Sequence, residues 1–323
     1  MENLNKSLSN SSENHSITGN WPLQYETQVA SAVFLSILSI SIIHGNTLVL
    51  RKCIALKAIN EKGRLKNNAV FAKRISTIYM VSSICISDLL VGSICVPIWL
   101  MTELFLDVVE QKIILAAFLE FIDILIGISS ISSVSLMNIS RCCSIAFPLH
   151  SRRYYSIGLT KVGLFFTWTF STVVAMLRFV NISRTKYVAF VSVVGFGMPL
   201  VLTILSCILA IRTIKERQRN QNLLQTAVKC EQNVGQTLLV ISLLFFALWS
   251  PFFVVSFLYK YCAPCTRFLN FATTRPLITF IKWLHYSNSF ANPWIIAHYN
   301  KQFQCTVNIP FLTKKQKESA VVS

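Results

Sequence analysis

The sequence predicts an all-α fold, a bundle of seven membrane-spanning helices with the N-terminus outside. Three observations predict it. The 323-residue chain is 53% hydrophobic and only 13% charged, with a mean hydropathy of +0.55, whereas a soluble chain of this length needs more polar surface. Seven apolar stretches follow one another, each long enough to cross a bilayer. The basic residues are distributed unequally between the segments that connect them.

The seven predicted spans are mostly apolar and lie at 29–50, 75–101, 113–139, 159–177, 187–211, 234–259 and 277–299. None alternates between polar and apolar residues, which disfavours a transmembrane β-barrel. Four spans carry an internal proline, which membrane helices tolerate because neighbouring groups satisfy the freed carbonyl: Pro97, Pro199, Pro251 and Pro293. The halves show no internal repeat, which disfavours a transporter built from duplicated units.

The basic residues orient the bundle. Most of the 30 Lys and Arg side chains are cytoplasmic if the N-terminus is outside. The net charge of +17 is then explained by a cationic face against anionic lipid, without nucleic acid. The predicted organisation is an extracellular tail at 1–28, a membrane domain at 29–299 and a cytoplasmic tail at 300–323. Residues 51–74 form a long, basic first cytoplasmic loop in this interpretation.

Several modification sites fit this orientation. Four N-glycosylation sequons fall in outer segments, at Asn5, Asn10, Asn14 and Asn181. No charged-then-apolar signal peptide precedes the first span, which is therefore expected to act as a signal anchor. In an outer loop, Cys262 and Cys265 are close enough in sequence to form a disulfide. Cys305 follows the last span and is either a palmitoylation site or a free thiol.

Asp88 lies at the centre of the second span, where a charge is costly and indicates function by default. Its expected companions are neutral polar side chains of the third and seventh spans, namely Ser130, Asn288, Ser289 and Asn292. A carboxylate surrounded by hydroxyls and amides suits a small hard cation such as sodium, or a titrating proton. The alternative is a protonated structural Asp in a polar network. No other cofactor is expected.

Asp123 and Arg141 lie near opposite ends of the third span. They are 18 residues apart, or five helical turns and about 27 Å, so both point into the bundle. Such a helix would meet a ligand outside and a partner inside. Aromatic residues of the sixth and seventh spans are the predicted walls around Asp123: Trp249, Phe252, Phe253, Trp283 and Tyr286. A carboxylate facing aromatic rings suits a compact organic ammonium, although an aromatic stripe can also be plain packing.

From the first span to residue 303, the chain resembles the rhodopsin-like (class A) G-protein-coupled receptors. The matching motifs occur in family order: Gly45-Asn46, Ser87-Asp88-Leu89-Leu90, Arg141 with Pro148-Leu149, Trp168, Pro199, Phe245 to Pro251, and Asn292-Pro293. Asn300 to Phe303 resembles the start of a short amphipathic eighth helix.

Within that family the resemblance is to the biogenic-amine group. Asp123 occupies the position of that group's amine-binding Asp, and Ser192 occupies a position where such receptors often carry a hydroxyl. Val191 and Gly195 occupy the neighbouring positions, which disfavours a catechol. An opsin is disfavoured because Tyr286 stands where that group carries its retinal-linking Lys, and nearby Lys282 is out of register.

The resemblance also implies an activation mechanism. Trp249 would be a rotamer switch, above a core of Pro199, Ile131 and Phe245 that repacks as the sixth span swings outward. Glu231 would pair with Arg141 in the inactive state. The chain departs from the family at five positions: Ser140 and Cys142 beside Arg141, Cys207, Ile296 and Ala116. Ala116 replaces a cysteine of the family, so the disulfide that tethers the second outer loop is not expected here.

The sequence therefore predicts a multi-pass plasma-membrane receptor that senses a small cationic amine and activates a heterotrimeric G protein. The alternatives are a class A receptor for a peptide or lipid, a weakly coupling receptor, and, remotely, a seven-span transporter. The transporter would need a continuous polar path that the fourth and fifth spans do not offer. No metal cluster, nucleophile–base pair or phosphate loop supports an enzyme.

Overall fold

The structure is a computed structural model, and it describes residues 21–62, 69–104, 113–147, 156–180, 182–220, 262 and 271–299, together with 244–258 except 246, 253 and 256. Every regular element in these ranges is helical. Among the described residues, five helices are long and apolar enough to cross a membrane: Gln28–Glu61, Phe71–Leu104, Ile114–Ala146, Ile157–Phe179 and Lys186–Glu216. The described residues of 244–258, in the sixth predicted span, are also helical.

The first span is the helix Trp21–Lys62 and the third is Ile113–Ala146. The second joins Ala69–Leu90 to Val96–Leu104 through a π-helical turn at Val91–Cys95. The fourth is Ile157–Met176 with a 3₁₀ turn at Leu177–Phe179. The fifth joins Arg184–Phe190 to Met198–Asn220 through a π-helical turn at Val191–Gly197. The seventh is Phe271–Tyr299.

The segment expected to be a long first cytoplasmic loop is mostly helix. The first span continues to Lys62, and the second begins at Ala69. Residues 51–62 contain neither Gly nor Pro and are rich in good helix formers, so the helix continues beyond the apolar stretch. Lys57 and Glu61 add an ion pair one turn apart, with 3.9 Å between Nζ and Oε1. The prediction of a loop was therefore wrong for residues 51–62 and 69–74, while residues 63–68 lie outside the described part of the chain.

Prolines within the spans leave carbonyls that polar side chains satisfy. In the π-helical turn of the second span, Pro97 cannot donate to Gly92 O, and Ser39 Oγ donates to that carbonyl at 2.6 Å. In the seventh span, Pro293 cannot donate to Ser289 O, four residues earlier, and Asn46 Nδ2 donates to it at 3.1 Å. Both bonds tie the first span to a neighbour at the position where a helix lacks its own bond.

The third span is central. It packs against the second, fourth and fifth spans, while the first span packs against the second and seventh. Ser83 shares a hydrogen bond of 3.1 Å with Ser133 and accepts one from Trp168 Nε1, also at 3.1 Å, so the second, third and fourth spans join at one point. Large apolar side chains on the outer face of the fourth span are exposed, as a lipid-facing surface requires, among them Phe165 and Phe166.

Candidate functional site

A cavity of about 440 Å³ lies between the outer halves of the second, third, fifth, sixth and seventh spans. Its walls are mostly apolar. Four of the residues predicted to bind ligand line it: Asp123, Ser192, Phe252 and Tyr286. The cavity is within the size range of small-molecule sites, and polar groups converge at Asp123.

Asp123 is already ion-paired. Lys282 Nζ donates to its Oδ2 at 2.5 Å, and Tyr286 Oη donates to its Oδ1 at 3.1 Å. The Lys282 ammonium also lies 5.0, 5.6 and 5.5 Å from the ring centroids of Trp99, Phe252 and Tyr286. Carboxylate and rings together form an aromatic cage around a cation, and the cation belongs to the protein itself.

Lys282 was not predicted as the partner of Asp123. Its position had been compared only with that of the retinal-linking lysine of opsins, with which it is out of register. A signal was present, because an ionisable residue within a span indicates a functional site with a charged partner. His285 was also missed; it lines the cavity, and its ring centroid lies 3.8 Å from that of Trp249.

The other predicted ligand-binding residues are placed differently. Trp249 is buried below the cavity, stacked on Phe245 with centroids 5.2 Å apart and in contact with Phe196 at 4.7 Å. Trp283 does not line the cavity, because its ring stacks on Phe34 of the first span with centroids 4.4 Å apart. Phe253 lies outside the described residues.

An ion pair joins the third and fourth spans near the cavity. Arg178 Nε donates to Glu120 Oε2 at 2.7 Å, and each side chain is about one-fifth exposed. Glu120, which one could take for a solvated surface residue, is therefore held in place. Only residues 180–183 separate the fourth span from the next helix. Ala116, at the position of the family's disulfide, lines the cavity itself.

Asp88 is fully buried in the predicted polar network. Ser130 Oγ and Ser289 Oγ donate to its Oδ1 at 3.1 and 2.9 Å, and Asn292 Nδ2 donates to its Oδ2 at 2.9 Å. Asn288 is buried nearby, but the bonds to Asp88 within the described ranges come from the other three. A carboxylate with two hydroxyl oxygens is a suitable ligand set for a small cation. Within those ranges, no group of three or more His, Cys, Asp or Glu side chains could hold a metal.

The predicted activation residues occupy two layers. Ile131 and Phe245 are buried in one apolar cluster with Trp249, and Ser135 Oγ donates to the carbonyl of buried Pro199 at 3.1 Å. Arg141 is half-buried near the cytoplasmic end of the third span. Beside it, Cys142 packs against the fifth span in a cluster with Ile145, Ala210 and Ile214. Glu231 lies outside the described residues.

Gly45 brings two signature motifs together. A Cβ atom at position 45 would lie 3.0 Å from Pro293 Cγ, so a larger residue would require the proline to move away by a few tenths of an ångström. Ile296 is buried in an apolar cluster of the inner bundle, and Cys207 is buried as well. Both departures from the family are thus accommodated as core residues.

The predicted modification sites lie largely outside the described part of the chain. This applies to Asn5, Asn10, Asn14, Asn181, Cys265 and Cys305. Cys262 is disulfide-bonded. Its predicted partner, Cys265, is among the residues that the structure does not describe, so the pairing stays a prediction.

Comparison with known proteins identifies the family. The family model "7 transmembrane receptor (rhodopsin family)" matches residues 71–187 and 180–296. Among curated proteins, the chain is 24% identical to 5-hydroxytryptamine receptor 4 of Cavia porcellus over 332 aligned residues, covering 86% of this chain and 78% of that protein. It is 21% identical to 5-hydroxytryptamine receptor 2B of Mus musculus over 305 residues, covering 71% of this chain and 63% of the mouse protein's length.

The matched range includes the second to seventh spans, and the structure places the first span against them. The all-helical architecture, with its membrane-length helices and signature motifs in order, agrees with this match. The chain therefore belongs to the rhodopsin family of seven-transmembrane receptors, and it is a multi-pass plasma-membrane receptor rather than an enzyme.

Proposed function

We propose that this receptor binds a small organic ammonium ligand at Asp123 and activates a heterotrimeric G protein. The observation that carries the proposal is the environment of the Lys282 ammonium. One carboxylate oxygen and three aromatic rings surround it inside a cavity of about 440 Å³. A site that holds a tethered ammonium in this way has the chemistry to hold a ligand's ammonium.

The relatives support an amine. Both are named for 5-hydroxytryptamine, a compact aromatic amine. The resemblance of the motifs implies that Asp123 matches the amine-binding Asp of the biogenic-amine group. Ser192 lines the same cavity and offers a hydroxyl to a polar ring substituent. Gly195 offers no second hydroxyl there, and a Cβ at that position would require the end of the Ile128 side chain, 2.7 Å away, to shift.

The effect of ligand binding is transmitted toward the cytoplasmic side through the ring contacts of His285, Trp249 and Phe245. A ligand that displaces Lys282 from Asp123 disturbs His285, three residues along the same helix, which contacts Trp249. Trp249 in turn stacks on Phe245 of the sixth span. The ligand favours a state in which Phe245 repacks against Ile131 and the sixth span moves outward, exposing Arg141 to the G protein.

A sodium ion at Asp88 completes the proposed mechanism. Ser130, Ser289 and Asn292 hold the carboxylate between the second, third and seventh spans. An ion at that point bridges three helices that move relative to one another on activation, and so stabilises the inactive arrangement.

The test is a G-protein activation assay in cells, with a panel of biogenic and trace amines. Asp123→Asn should raise the half-maximal concentration of an active amine at least about 30-fold, because a charge-assisted contact is lost. Glu26→Gln removes a carboxylate from an exposed position near the outer end of the first span and should leave the response unchanged. A full response in the Asp123→Asn variant would refute the amine proposal.

Silence of the unchanged receptor, with surface expression verified by antibody, also counts against an amine. It would favour a peptide or lipid ligand, or a receptor that couples weakly because Cys207 and Ile296 replace the family's tyrosines.

A further inference from the structure

The cage around Asp123 already contains one cation, and this restricts the ligands that can enter it. Lys282 Nζ bonds to Asp123 Oδ2, while Tyr286 Oη bonds to Oδ1. The Lys282 side chain is 10% exposed. A ligand ammonium must therefore either displace Lys282 or join it at the same carboxylate.

Both routes deprive one positive charge of the compensation that Asp123 provides. If the ligand displaces Lys282, a nearly buried ammonium loses its ion pair, which is strongly unfavourable. If the ligand joins Lys282, two cations share one carboxylate in an apolar cavity. A ligand that carries its own anion avoids both costs, since its negative group faces Lys282 while its ammonium faces Asp123.

Donors for such an anion are present. An ammonium has three N–H groups, and Lys282 gives one hydrogen bond to the described residues, to Asp123 Oδ2. Trp99, whose ring centroid lies 5.0 Å from Lys282 Nζ, carries a buried Nε1–H that has no acceptor within the described ranges. A buried donor without a partner is rare in proteins. A carboxylate beside Lys282 would accept from the ammonium, and from Trp99 Nε1–H once the indole ring turns toward the cavity.

We propose that the ligand is a zwitterion of the α-amino-acid type with an apolar or aromatic side chain. Its ammonium binds Asp123, its carboxylate binds Lys282 and Trp99, and its side chain lies against the apolar wall that includes Leu119, Ile122 and Val188. This inference rests on the proposed function, because it keeps the ligand ammonium at Asp123. It makes Lys282 a specificity-determining residue.

The experiment compares each amine with its α-carboxylated counterpart: tyramine with tyrosine, tryptamine with tryptophan, and phenethylamine with phenylalanine. G-protein activation is measured in amino-acid-free buffer, because culture medium would otherwise saturate the site. In the unchanged receptor, one amino acid should be at least about 10-fold more potent than its amine. Lys282→Met should reverse that order, since the cation that holds the carboxylate is gone.

Two further variants serve as controls. Lys282→Arg keeps the charge and should keep the preference for the amino acid, which covers the case in which Lys282→Met does not reach the surface. Lys186→Met removes an exposed lysine from the outer part of the fifth span and should leave the potency ratio unchanged.

An amine more potent than its amino acid on the unchanged receptor would overturn the inference. If that response is lost in Asp123→Asn, the proposed function stands while the zwitterion is excluded. The inference would also be overturned if amine and amino acid were equally potent on the unchanged receptor and Glu103→Gln lowered the potency of the amine. Lys282 would then find a new partner in Glu103, which lines the cavity and accepts a bond of 2.9 Å from Thr279. If no amine or amino acid activates a receptor shown to be at the surface, the proposed function itself fails.

Discussion

Neutralising one member of the Asp123–Lys282 pair should destabilise the receptor more than neutralising both. The two charged groups are 2.5 Å apart, and their side chains are 23% and 10% exposed. Removing one partner of a buried pair costs about 3–5 kcal/mol, mostly because the other charge remains buried. Since Asp123 is nearly a quarter exposed to the cavity, about 2–3 kcal/mol is expected for Asp123→Asn or Lys282→Met alone. The double variant should lose only about 1 kcal/mol, because no charge is left unpaired.

The assay is thermal unfolding of the purified receptor in detergent, followed by the fraction that stays monomeric after heating. At about 2–4 °C per kcal/mol, each single variant should melt about 4–12 °C below the unchanged receptor. Lys186→Met, at an exposed position, is the control and should shift by no more than about 2 °C. Two single shifts no larger than that of the control, or a double shift equal to their sum, would refute the ion pair as a stabilising contact.

Three further predictions use the same heating assay. Gly195→Val should lower the free energy of unfolding by about 1–3 kcal/mol, because the Cβ of the new side chain would lie 2.7 Å from Ile128 Cδ1. Adding Ile128→Ala should recover part of that loss, and an unchanged melting temperature in Gly195→Val would contradict the close contact. Arg178→Met should lower the free energy of unfolding by about 1 kcal/mol because Glu120 loses its ion pair, and Arg178→Lys should lie between this variant and the unchanged receptor. Unchanged stability in both variants would show that the ion pair does not stabilise the contact between the third and fourth spans. Sodium chloride should raise the melting temperature above that in equimolar N-methylglucamine chloride, and Asp88→Asn should abolish the difference; a difference that persists in the variant would exclude a sodium ion at Asp88.

Much of the site could be predicted from the sequence because helical periodicity is regular. Residues 18 apart on one helix share a face. Asp123 and Arg141 are 18 apart, so both were predicted to face the interior of the bundle, one near each end of the third span. The companions of Asp88 were predictable in the same way, since polar residues in apolar spans turn toward one another. Ser130, Ser289 and Asn292 do bond to Asp88.

Periodicity was less informative for the seventh span, where small rotations decide which wall a side chain reaches. At about 100° per residue, Lys282 lies about 40° from Tyr286 on one side and Trp283 about 60° on the other. The structure directs Lys282 and Tyr286 toward Asp123 and leaves Trp283 against Phe34 of the first span. Trp283 was predicted to share the face of Tyr286 because residues three apart on a helix are neighbours. Lys282, four positions before Tyr286, is a neighbour for the same reason and was not predicted.

A membrane bundle of helices with the motifs of its family was predictable from the sequence, because composition, span length and motif order are properties of the linear chain. Only the tertiary structure decided that Lys282 occupies the cage of Asp123 and that Arg178 holds Glu120. Those pairs join residues 159 and 58 positions apart. Whether two such charges meet depends on the depth and rotation of separate helices, which are set by packing between the helices and not by the pattern within any one of them.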